Sequence, residues 1–89
     1  MPSAFVLEQN YPNPFNPTTI IEYNLPKDTR VKIVIFDLLG RVIKTLVDQE
    51  KSTGTYKIKF DASDLSSGVY FYQLQTREFS QTKKLILMR

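Results

Sequence analysis

Apolar residues return at every second position through seven separate stretches of this chain, and no other feature constrains its fold as tightly. Successive side chains of a strand point to opposite faces, so each such stretch reads as a strand with one buried side. Phe5 and Leu7 share a face in the first. In the second, residues 19–25, Ile21, Tyr23 and Leu25 point inward while Glu22 and Asn24 point outward. The third, 31–36, sets Val31, Ile33 and Ile35 on one face. Lys32, Val34 and Phe36 lie on the other, and this second, partly apolar face predicts a central or covered strand.

Asp37-Leu38-Leu39-Gly40 reads as a tight hairpin connection, because Asp bonds to backbone ahead of it and Gly accepts positive φ. A fourth strand over 41–47 is expected to lead into a polar loop over 48–55. The fifth puts Tyr56, Ile58 and Phe60 inward; the sixth, Tyr70, Tyr72 and Leu74; the seventh, Leu85 and Leu87. Leu39, Val42, Ile43 and Leu46 also fall at helical spacing, but Gly40 and the β-branched residues oppose a helix there. Strands of this length between turn signals are the signature of a β-sandwich or barrel, here expected as an all-β, immunoglobulin-like Greek-key sandwich of about seven antiparallel strands.

At 89 residues the chain makes one domain, 1–89, with a core one layer deep. Six Phe and five Tyr suit half-buried pleated surfaces. The absence of Cys and His removes thiol nucleophiles, imidazole bases, disulfides and the usual zinc ligands. The acids Asp28, Asp37, Asp48, Asp61 and Asp64 sit where turns are expected, and no loop carries the alternating oxygen ligands of a calcium site, so no metal or cofactor is expected. Ser66 and Ser67 have no base to activate them, and the three Gly are too scattered to cradle phosphate. These absences argue against an enzyme. Most aromatic residues fall on inward positions, which argues against stacking on nucleic acid. No apolar run is long enough for a membrane span.

Three features stand out. In Asn10-Tyr11-Pro12-Asn13-Pro14-Phe15-Asn16-Pro17 the prolines dictate a stiff connector across an end or edge of the sandwich. Its rings, Tyr11 and Phe15, are expected to fold down as lids on the core. The alternative makes Tyr11, Asn13, Pro14 and Phe15 a docking surface. In Leu65-Ser66-Ser67-Gly68-Val69-Tyr70 a turn feeds a strand whose first inward residue is Tyr70, an arrangement resembling a tyrosine corner. The net charge of +3 lies wholly in residues 77–89, where Arg77, Lys83, Lys84 and Arg89 stand against Glu78 alone. Lys83-Lys84 reads equally as a guard against edge aggregation or as a handle for an acidic partner.

Residues 7–19, the block Ile33-Val34-Ile35-Phe36-Asp37 with Gly40, Leu65 with Gly68-Val69-Tyr70-Phe71-Tyr72, and Lys83-Lys84-Leu85 together resemble the carboxyl-terminal sorting domain, type A, of the type IX secretion system. A looser resemblance links the chain to the immunoglobulin-like domain of flagellar hook-capping proteins. The sorting-domain resemblance implies a label at the carboxyl end of a longer secreted protein, directing an attached cargo across the outer membrane. The domain would pass through the periplasm to the cell surface or beyond. Its implied partners are outer-membrane components of the secretion system and a sortase-like surface protease, together with the cargo domain upstream in the same chain. Carried over, the recognition residues are Gly68, Tyr70, Lys83, Lys84 and Arg89, the last standing where Lys is common. Met1-Pro2-Ser3 does not open a signal peptide, so an upstream segment would have to supply export. An accessory spacer or carbohydrate-binding module is the alternative function, and an unpaired final strand would allow a homodimer through that edge.

Overall fold

The computed structural model describes residues 3–88. Seven strands form: β1 (Val6–Leu7), β2 (Thr18–Leu25), β3 (Thr29–Phe36), β4 (Val42–Lys51), β5 (Gly54–Asp61), β6 (Gly68–Gln75) and β7 (Ser80–Leu87). They make two antiparallel sheets, one ordered β1-β2-β5 and the other β4-β3-β6-β7. The chain changes sheet between β2 and β3, β4 and β5, and β5 and β6, consistent with the expected immunoglobulin-like Greek-key sandwich and not with a barrel. No helix occurs among the described residues, so the helical reading of 38–47 fails.

The inward residues are the expected ones. Ile21, Tyr23 and Leu25 of β2 face Val31, Ile33 and Ile35 of β3, with Tyr72, Leu74, Leu85 and Leu87 completing the far layer. Each fully buried large side chain contributes roughly 1.5–3 kcal/mol. β3 is central in its sheet, and its outward Val34 is buried too. Tyr56 and Ile58 are only half-buried, because β5 is an edge strand with no neighbour beyond it.

One boundary differs from expectation. The polar stretch 48–55 is not a loop: β4 runs on to Lys51 and β5 begins at Gly54. The backbone of β3 supplies the reason, since all eight of its residues find partners, from Thr29 opposite Lys51 to Phe36 opposite Val42. Two register shifts absorb the extra residues of β4. Asp48 and Glu50 are edge residues held by Arg30 and Arg77, and their polarity reflects hydration rather than a loop.

The Asp37–Gly40 hairpin forms as predicted. One oxygen of Asp37 accepts the Leu39 and Arg41 backbone N–H groups, each at 2.9 Å, and the other accepts Arg41 Nε at 2.7 Å. Gly40 takes φ +80°, in the region that favours glycine.

Candidate recognition surface

The corner before β6 is built as the sequence suggests. The Tyr70 hydroxyl donates to the Ser66 carbonyl at 2.7 Å, so the ring points into the core while its oxygen pins the loop that precedes it. Gly68 opens β6 at φ +153°, which other residues rarely adopt, and a Cβ there would meet nothing within 4 Å. Gly68 is therefore required by backbone conformation and not by crowding. Of this pair, Tyr70 is a shaper of the corner, and only the backbone around Gly68 is open to a partner.

The lysines of β7 are separated. Leu85 and Leu87 face inward, so Lys83 shares their face and is half-buried, while Lys84 lies on the outer face and is exposed. Adjacent residues of a strand cannot present one patch. Arg30, Arg41, Arg77, Lys27 and Lys44 each have an acidic partner; Lys83 and Lys84 have none among the described residues. Arg89 lies outside the described residues.

Nor is the end of β7 a free edge. Its outer backbone is taken by the Asn-Pro segment: Gln9 Nε2 donates to the Lys84 carbonyl at 2.8 Å, and the Ile86 N–H donates to Asn13 Oδ1 at 3.0 Å. Phe15 N–H donates to the Ile86 carbonyl at 3.0 Å, and Met88 N–H donates to the Phe15 carbonyl at 2.9 Å. A homodimer through this edge would have to displace that clamp or be confined to the Ser80–Thr82 end.

Within the segment the two rings part company. Phe15 is 2% exposed and rests 6.0 Å from Phe60, centroid to centroid, as a lid on the core. Tyr11 is 79% exposed, so the expected second lid is absent. Its backbone explains the difference, because Tyr11 bridges to the outward-facing Ile20 of β2 while Phe15 bridges to the inward-facing Leu87 of β7. The Tyr11–Pro12, Asn13–Pro14 and Asn16–Pro17 peptide bonds are cis. Asn13 bonds to β7 and Phe15 is buried on the core, whereas Tyr11 and Pro14 are exposed.

A polar knot that sequence reasoning missed lies beneath this segment. Tyr72 donates to the Glu8 carbonyl at 2.6 Å and accepts the Asn10 N–H at 2.7 Å. The buried Asn10 amide donates to Thr19 Oγ1 and the Pro12 carbonyl, and accepts from Gln9 Nε2. Burial pushes the Tyr72 hydroxyl up to about 12, with the nearby Glu8 carboxylate adding to the rise. Tyr23, buried beside Tyr56, is likewise raised to about 12. Asp61 is held below the usual carboxylate range chiefly by the Ser63 backbone N–H, and Asp64 meets Lys44 at 3.4 Å, so both acids are already engaged. No cluster of three metal-ligating side chains occurs among the described residues, and no helix is long and apolar enough to cross a membrane.

The fold defines a small all-β sandwich domain whose polar side chains serve turns, clamps and corners, with lysines outside any ion pair among the described residues on two edge strands, Lys57 and Lys59 of β5 and Lys83 and Lys84 of β7. The secretion system C-terminal sorting domain family matches over residues 9–88, nearly the whole chain, and the chain belongs to that family. It is a sorting signal for type IX secretion, which places it on the route across the outer membrane to the cell surface or extracellular space. The family is not a class of enzymes, and the match gives the spacer or carbohydrate-binding alternative no support. No curated protein and no solved structure matches the chain.

Proposed function

We propose that the secretion machinery reads this signal at the end of the sandwich where β6 begins and β7 finishes, while the cargo leaves from the opposite end. The domain is then the carboxyl-terminal part of a longer secreted protein. Lys84 is the charged contact, Gly68 gives a partner access to backbone, and Tyr70 holds the corner in shape. Lys83, on the inward register of β7, contributes less.

The observation that carries this reading is the placement of the two ends of the chain. Gly68 pairs with Leu87, whereas Phe5 stacks on Phe79 of the β6–β7 turn, 5.2 Å between centroids, at the other end of a body 37 Å long. A folded cargo ahead of Phe5 would not obstruct an outer-membrane component bound at Gly68. The same separation leaves the linker ahead of Phe5 open to a sortase-like surface protease.

Removing β7 would not test this cleanly, since Leu85 and Leu87 are core residues. Lys84→Glu in a cargo fusion is the sharper experiment. It reverses an exposed, unpaired charge, and like charge at an interface is strongly unfavourable. The expected result is cargo held in the periplasm, with surface delivery down at least about tenfold and the circular dichroism spectrum of the domain unchanged. Full surface delivery of that variant would overturn the assignment of Lys84.

A further inference from the structure

We propose that the Asp37–Gly40 hairpin is a second contact for the secretion machinery, a rigid finger whose Leu38 and Leu39 seat in an apolar pocket of an outer-membrane partner protein. The inference rests on the reading above that the machinery binds at this end of the sandwich.

Two adjacent leucines at a turn tip, 67% and 77% exposed, do nothing for the stability of the fold. A three-residue connection, a turn followed by Gly40 at positive φ, is satisfied by polar residues at its tip, which would also favour solubility. The turn nevertheless holds these side chains firmly: the Asp37 carboxylate closes the hairpin from both of its oxygens, and the Gly40 N–H donates to the Asp37 carbonyl at 3.0 Å. The Arg41 backbone N–H and the bonds that accompany it hold the Asp37 carboxyl below its usual range, so the clasp stays ionised at neutral pH. A finger organised in advance loses little conformational freedom on binding.

The tip is also continuous with the surface already assigned to recognition. Leu38, Leu39 and Arg41 form one wall of a groove of about 210 Å³, and Ser67, Gly68 and Val69 form the other. Met88, exposed just beyond Leu87, lies at the same end. From the hairpin, an outward row of cross-strand partners runs Val42, Phe36, Phe71 and Lys84, apolar until its last member. Most sheet faces turned to water alternate away from such a row. Apolar contact at one end and an unpaired cation at the other call for a partner with an apolar pocket and a carboxylate.

A lipid surface fits less well. Arg41 is neutralised by Asp37, which leaves one unpaired cation on this row, where attraction to anionic lipid takes a cluster of four or more.

The test uses the full cargo fusion in a bacterium with an intact type IX system, comparing Leu38→Ser/Leu39→Ser with Leu38→Met/Leu39→Met and Lys84→Glu. A photo-crosslinking residue at position 42, exposed beside the tip, reports contact. The serine pair is expected to cut surface delivery about tenfold, with a melting temperature within about 2 °C of the parent because both side chains are solvent-exposed. The methionine pair should export normally, and the crosslink should form to an outer-membrane protein and be abolished by the serine pair. Normal export of the serine pair while Lys84→Glu fails would overturn the finger and leave the recognition end standing; normal export of both would remove both. Leucine-dependent binding to phosphatidylglycerol vesicles, or leucine-dependent dimerisation in sedimentation, with no protein crosslink, would replace the partner protein by a membrane or by a second copy and overturn the proposal.

Discussion

The Asn-Pro segment and the Asp37–Gly40 hairpin are both stiff loops with polar side chains and exposed apolar residues, yet they use that chemistry in opposite directions. In the segment, Asn13 and Asn10 reach away from their own turn, to β7 and to Thr19, and the backbone of Phe15 adds a short parallel bridge to Leu87. In the hairpin, the Asp37 carboxylate bonds only to residues two and four positions ahead, so its loop closes on itself and turns Leu38 and Leu39 to water. The most unusual stretch of sequence is therefore mostly a structural clamp, and the plainer turn is the displayed surface. Rarity in a sequence marks constraint, and constraint arises from packing as readily as from recognition.

The sharpest way to break the comparison is Phe15→Ala. If the segment is a clamp, losing a fully buried ring should cost about 3–5 kcal/mol in chemical denaturation, whereas Tyr11→Ala four residues away should change stability by less than about 0.5 kcal/mol. Equal, small effects would return the segment to the status of a docking loop.

Alkaline titration probes the knot beneath the clamp. The hydroxyls of Tyr72 and Tyr23 are raised to about 12 in the folded protein, against about 10 in an unfolded chain. Between those values the unfolded state has released protons that the folded state still holds, so unfolding becomes easier as pH rises. The stabilisation is complete below pH 10 and falls by up to about 2–3 kcal/mol per tyrosine as pH approaches 12. In Tyr72→Phe the slope measured by denaturation across that window should drop by about half; an unchanged slope would mean the phenol does not tie the segment down.

The smallest effect sharpens the clamp itself. Asn13→Ala removes the acceptor for the Ile86 N–H at an exposed edge, where water can replace it, and should cost about 0.5–1.5 kcal/mol. Amide exchange at Ile86 should accelerate while exchange at Leu85 stays slow, because the bonds to β6 are untouched.

How much of this was legible depends on whether a feature is written locally. The inward faces of β2, β3, β6 and β7 follow from a two-residue period that any strand must obey, and the Asp37 hairpin and the Tyr70 corner are each closed within a few residues. The full length of β4 was not legible, because Asp48, Gln49 and Glu50 become strand only when β3 lies alongside to take their backbone bonds. The separate fates of Tyr11 and Phe15 were hidden for the same reason: which ring is buried depends on whether its backbone meets β2 or β7. Tyr72 carried no sign that its hydroxyl would bond to residues 62 and 64 positions away.

The residues by themselves determined an antiparallel sandwich, its core faces, its turns and the excess of positive charge at one end, since periodicity, glycine conformation and charge are properties of neighbours along the chain. Tertiary structure alone decided that the last strand is clasped and not bare, and that the leucine tip adjoins the Gly68 corner. Those outcomes depend on which strands lie side by side, and the bonds that decide it join residues far apart in the chain.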